Sequence, residues 1–228
     1  MSSHSMRKLA LFDLDNTLIP FDSDHAFGQY VAELGWVDAE QHRLQNEAFY
    51  RQYKAGTLDL AAYLRFALQP IAGRDMAELN AAHAAFMRDV VLPQMQPAAQ
   101  QLVDRHRQAG DLCCIVTATN TFVTRPIADA FGVEHLIGVE LERDPQGRYT
   151  GNWVGTPSFR EGKIIRTEQW LGAQGLGWGD FDQIWVYSDS INDRPLLEHA
   201  THPVVVHPDP LLAEVARKNG WPTLQLLT

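Results

Sequence analysis

With 228 residues, of which 45% are hydrophobic and 21% charged, the chain can bury a substantial core, and its length suits one compact domain carrying an insertion. A formal net charge of −9 argues against nucleic-acid binding, which needs a basic surface to displace counterions, yet permits a small anionic substrate beside a local cation. No apolar run approaches the roughly 20 residues that cross a bilayer, and the opening MSSHSMRK lacks a secretion signal's apolar stretch, so a cytoplasmic location is expected. The two cysteines, Cys113 and Cys114, are adjacent in an apolar run and read as buried thiols of a reducing compartment.

Taken in order, residues 7–13 (RKLALFD) form an apolar run ending at a carboxylate, the pattern of a buried parallel strand. From Ser23 to about Val91 the pattern is almost wholly helical and alanine-rich, punctuated by Gly35, Gly56 and Gly73. A helix after Pro97 leads to Gly110, and LCCIVT (112–117) is a second core strand followed by a helix around 122–131. Residues 140–154 contain Asp144-Pro145-Gln146-Gly147 between extended segments and predict a hairpin, and Glu161–Leu171 predicts a helix. QIWVYSD (183–189) and PVVV (203–206) are further core strands, with helices around 193–199 and 210–218. This alternation predicts an α/β fold with a three-layer, Rossmann-like, mainly parallel sheet: residues 7–21 and 92–228 as the core, residues 22–91 as an inserted helical cap. Ligands of such sheets bind outside the carboxyl ends of the strands, where Asp13, Thr117 and Asp189 are predicted to lie.

Asp13 and Asp15 flank one leucine at the end of a buried strand, and their repulsion calls for a nearby cation. Hard oxygen donors with room for water and phosphate suit Mg²⁺, and Asp189 is a plausible further ligand. Taken singly, each residue also has a bland reading. Asp13 and Asp15 suit a turn with helix-capping acids, Thr117 a structural strand-end position with Thr119 as its competitor, Lys163 a solvated surface, and Asn192 and Asp193 an Asx turn.

DLDNT (13–17), Thr117, Lys163 and SDSIND (188–193), in this order and context, resemble the motifs of the haloacid-dehalogenase superfamily. The closest likeness is to its phosphoserine-phosphatase-like branch, with a helical cap between the first two motifs, and it spans nearly the whole chain. The resemblance implies a Mg²⁺-dependent phosphatase acting on a small phosphorylated metabolite through an aspartyl-phosphate at Asp13. Asp15 would protonate the leaving alcohol and then activate water. Asp13, the Asp15 carbonyl and Asp189 would hold the metal. Thr117, Lys163, Asn192 and the Leu14 and Ala118 amides would meet the phosphate, and Asp193 would support Lys163 or metal-bound water. Ser188 stands where the family often has glycine.

The same resemblance puts Asp22 where phosphoserine phosphatases contact the substrate amine with a glutamate, although Asp22, Ser23 and Asp24 also compete to cap the helix that follows. Ala67 falls where those enzymes hold the substrate carboxylate with an arginine, and Arg65 lies on another helix face. An amino-alcohol phosphate such as histidinol phosphate then fits better than phosphoserine. His25, Tyr50 and Tyr53 either line the cap or pack within it. A non-catalytic phosphate-ester-binding regulator and a phosphotransferase are the competing readings on the same fold.

Overall fold

The computed structural model describes residues 7–227. Strands β1 (Lys8–Phe12), β2 (Leu112–Asn120), β3 (His135–Arg143), β4 (Tyr149–Val154), β5 (Gln183–Ser188), β6 (His202–Val206) and β7 (Thr223–Leu224) form one sheet in the order β4-β3-β2-β1-β5-β6-β7. Neighbouring strands run parallel except the β3–β4 hairpin. The sheet alternates its burial: Leu9 and Leu11 join the apolar cluster on one face, Ala10 and Phe12 that on the other, and all four are fully buried. A central strand covered on both faces has no polar side, which is why KLALF reads as a continuous apolar run.

Between β1 and β2 the chain forms α1 (Ser23–Glu33), α2 (Ala39–Lys54), α3 (Leu60–Leu68) and α4 (Met76–Phe86). Each is capped by an aspartate: Asp22, Asp38, Asp59 and Asp75 accept hydrogen bonds from backbone amides of the first turn. The insertion is not packed as an isolated unit. Phe27 and Val31 of α1 and Leu79 and Phe86 of α4 share one apolar cluster with Phe122, Val123 and Tyr149.

The helices α5 (Pro97–Gln108) and α6 (Thr121–Ala130) cover the Phe12 face, while α7 (Glu161–Ala173), α8 (Arg194–His199) and α9 (Pro210–Asn219) cover the Leu11 face. The result is the expected three-layer α/β architecture. Two boundaries differ from the sequence reading. The edge strand β7 is only two residues long and carries no periodic signal. Strand β2 runs on to Asn120, so Thr117 lies inside it rather than at its end; its register against β3 shifts between Val116 and Asn120.

Gly138 of β3 lies against this irregular stretch, where a Cβ would sit 2.8 Å from the Thr119 carbonyl oxygen. Gly138→Ala is therefore expected to push β2 and β3 apart at Thr119 and to cost about 1–3 kcal/mol, read as a lower urea midpoint. An unchanged midpoint would show that the two strands do not need this close approach.

Candidate active site

The strand order reverses at β1, with β2 and β5 on either side, and a crevice opens outside the carboxyl ends of these three strands. Asp13 leaves β1 there, only 7% exposed. Its amide donates to the Tyr187 carbonyl at 2.9 Å, tying the turn to β5. The chain then doubles back through Asn16, which takes a positive φ of 58° that asparagine tolerates better than most residues. That turn brings Thr17 beneath Asp13: its hydroxyl donates to Asp13 Oδ2 at 3.0 Å, lies 3.4 Å from Asp189 Oδ1, and accepts from the Asp189 amide at 3.0 Å.

Lys163, 2% exposed on the first turn of α7, donates from Nζ to Asp13 Oδ1 at 2.8 Å and to Asp193 Oδ2 at 2.6 Å. Gly162 before it allows the tight approach of this helix start, because a Cβ there would collide with the Pro157 carbonyl. Ser188 donates to Asp193 Oδ2 at 2.7 Å and accepts from the Ser190 amide, so serine ties this loop by hydrogen bonds and needs no positive φ. Asp15 is held from above: the Ser23 amide donates to Oδ1 at 2.8 Å and Thr119 Oγ1 to Oδ2 at 2.8 Å. Thr117 Oγ1 lies 3.4 Å from Asp15 Oδ2 and accepts from the Thr119 amide. Of the two threonines, Thr119 makes the shorter bond to Asp15.

A cavity lies over this group, lined by Asp13, Asp15, Asp22, Thr117, Ala118 and Thr119 below and by His25, Asn46, Phe49, Tyr50, Tyr53 and Tyr63 above. Leu14, Lys163, Asp189, Asn192 and Asp193 are buried and are not among its lining. Asp22 takes the capping role, holding α1 through the His25 amide at 2.9 Å, and the residue also lines the cavity. Asp24 does neither: Tyr63 and Asn120 donate to its carboxylate. Asn192 is engaged elsewhere, accepting from Arg160 Nε at 3.1 Å and donating to Ser190 Oγ at 3.2 Å. Neither Arg65 nor Ala67 reaches the cavity.

Two cations escaped the sequence reading. Lys54, at the end of α2, brings Nζ to 3.8 Å from Asp189 Oδ2. Arg160, at a positive φ of 51°, donates to the Gly56 carbonyl as well as to Asn192 and so clasps the α2–α3 loop to the loop carrying Asp189. Nothing in their local sequence separates them from surface cations, because each works across a gap of more than 30 residues.

Burial dominates the electrostatics. It pushes Asp13 up to about 7, against the pull of Lys163, and Asp15 up to about 6, aided by the charge of Asp22. Burial and then the charge of Asp13 raise Asp189 well above the usual carboxylate range. Burial pulls Lys163 down, but Asp13 and Asp193 outweigh it and keep the ammonium charged. Among the described residues no group of three His, Cys, Asp or Glu side chains is poised around one metal position. Asp13 and Asp189, bridged by one threonine hydroxyl, still fit magnesium, which takes only one or two protein carboxylates and completes its shell with water, carbonyl or phosphate oxygens.

These carboxyl groups hold protons in the fold that an unfolded chain has already released. Stability from this source is present below about pH 4 and is lost as pH rises through about 6–7. Chelator-treated protein should therefore lose roughly 2–4 kcal/mol of unfolding free energy between pH 5 and pH 8, and millimolar magnesium should offset part of the loss at pH 8. A pH-independent urea midpoint would contradict the burial argument.

Residues 10–198 match the family model described as haloacid dehalogenase-like hydrolase. A histidinol-phosphatase of Neisseria meningitidis serogroup C is 46% identical over 219 residues, covering 96% of this chain and 99% of its own. A crystal structure of a protein with unknown function from Bordetella pertussis Tohama I superposes with a TM-score of 0.91 at 47% identity, over 96% of this chain and 99% of the other. A substrate-bound phosphoserine phosphatase superposes at 0.68 with 16% identity, over 92% and 91% of the two chains, and shares the fold. With this family match and the 46%-identical relative, the chain belongs to the haloacid dehalogenase-like hydrolase family and is a phosphoric monoester hydrolase.

Proposed function

We propose that the protein is a magnesium-dependent phosphatase that hydrolyses histidinol phosphate through an aspartyl-phosphate on Asp13. The observation that carries the chemistry is the pair of buried carboxyl groups at the end of β1. Asp13 is fixed by Lys163 and Thr17, and Asp15, two residues on, is raised to about 6, both beneath one cavity. A carboxylate nucleophile divides hydrolysis into two displacements. Asp13 attacks phosphorus as the ester P–O bond breaks, and the departing alkoxide takes its proton from Asp15. Asp15, now ionised, takes a proton from water; the resulting hydroxide attacks phosphorus, the bond to Asp13 breaks, and phosphate leaves. A proton affinity near the working pH suits this donor-then-acceptor role.

Lys163 holds Asp13 in place and balances its charge, and Asp193 with Ser188 fixes the ammonium. Thr117 and the Leu14 and Ala118 amides are proposed to receive the phosphoryl oxygens, while Asn192 acts through the Arg160 clasp. Magnesium, held by Asp13, Asp189 and the Asp15 carbonyl, would neutralise charge building on the phosphoryl group. Residues 22–91 act as the cap that keeps bulk water from the intermediate. The two free, buried thiols fit a cytoplasmic setting.

The substrate reading rests on two supports. The Neisseria relative bears the name histidinol-phosphatase. No lysine or arginine is among the described residues lining the cavity, whereas Asp22 is, so an ammonium has a partner there and a carboxylate does not. Asp13→Asn should abolish magnesium-dependent phosphate release from histidinol phosphate, by about 10⁴-fold or more, and Asp15→Asn should cost about 10²–10⁴-fold. Full activity of folded Asp13→Asn would refute the nucleophile, and a preference for phosphoserine would refute the substrate. Added alcohols that capture the phosphoryl group would instead favour a phosphotransferase.

A further inference from the structure

The turn that leads into α7 has the backbone of a glycine turn but carries an arginine. The Gly162 amide closes it on the Phe159 carbonyl at 2.9 Å, and Arg160, at its first central position, takes φ 51° and ψ −123°. These are the angles of a type II′ turn, which needs a positive φ there and favours glycine. A residue with a Cβ is strained in this region, and such strain persists only where the surrounding structure holds it in place. Lys163 accounts for the turn, because its ammonium reaches Asp13 from the first turn of α7. It does not account for the arginine.

The contacts of the guanidinium do. Arg160 donates from Nη2 to the Gly56 carbonyl, in the loop between α2 and α3, and from Nε to Asn192 Oδ1 at 3.1 Å, in the segment after β5. The same group lies over the Phe159 ring, 5.0 Å from its centroid. Phe159 and Tyr53 line the cavity together, with ring centroids 6.4 Å apart, and Asn192 Nδ2 lies 3.5 Å from the Tyr53 carbonyl. One side chain thus gathers the end of α2, the segment that carries Asp189 and Asp193, and one wall of the cavity. Arg160 is not itself part of the cavity lining. We propose that Arg160 is a positioning residue for phosphoryl transfer: its strained backbone is retained because its side chain fixes Tyr53 and Phe159 over the crevice that holds Asp13 and Asp15. The inference rests on the phosphatase reading and adds to it a position where stability and activity favour different residues.

Wild-type, Arg160→Gly and Arg160→Ala proteins are compared by urea unfolding and by magnesium-dependent kcat/KM on histidinol phosphate. Both variants lose the side chain, but only glycine relieves the backbone. The urea midpoint of Arg160→Gly should exceed that of Arg160→Ala by about 0.3–1 M. Activity should not follow stability: kcat/KM should fall by about 10–100-fold, and equally, in the two variants. In a double-mutant cycle, the loss caused by Asn192→Ala should not add to that of Arg160→Gly, since both break the same clasp. Equal midpoints for the two Arg160 variants, activity that rises with the midpoint, fully additive losses in the cycle, or full activity in Arg160→Gly each overturns the inference and leaves the phosphatase reading intact. If wild type releases phosphate from neither histidinol phosphate nor para-nitrophenyl phosphate, both readings fall. Arg160→Gly and the cycle decide the matter even if Arg160→Ala fails to fold.

Discussion

Lys163 is the cation on which the site is built. Strand ends in a parallel sheet deliver several carboxylates to one small volume, and Asp13, Asp189 and Asp193 are each at most 7% exposed there. Without a buried opposite charge such a cluster would have to protonate or open to water. The ammonium bonds two of the three, and Thr17 links the third to Asp13. The backbone follows from this need. Gly162 lets the start of α7 reach the sheet, and Ser188 turns the loop after β5 so that Asp193 points back at the lysine.

Charge compensation in this layer is incomplete, and that incompleteness has a chemical use. Asp13 and Asp15 keep raised proton affinities despite Lys163 and the threonines around them, which leaves the crevice receptive to a divalent cation and to proton transfer. Asp15 is the better insulated of the pair from Lys163, and its bonds to Ser23, Thr119 and Thr117 come from α1 and β2. Two neighbouring carboxyl groups in one motif are thereby given different surroundings.

Above the carboxylates the chemistry changes from charge to shape. Helices α1 and α2 contribute rings, with Asp22 at the start of α1 supplying a carboxylate, and the Arg160 clasp with Lys54 ties the end of α2 to the loop that carries Asp189. Helices α1, α3 and α4 all contribute buried side chains to the main apolar core, α3 through Leu68.

The residues themselves determined the α/β class, the mainly parallel sheet, the helical character of the insertion and the motifs that carry Asp13, Asp15, Lys163, Asp189 and Asp193. All of these are local signals: an apolar run ending at an acid, an aspartate before a helical period, a short motif. Tertiary structure alone decided the rest. How closely β2 approaches β3 at Thr119 depends on Gly138 of the neighbouring strand, that Asn192 meets Arg160 depends on a residue 32 positions earlier, and that Lys54 meets Asp189 depends on where α2 ends in space.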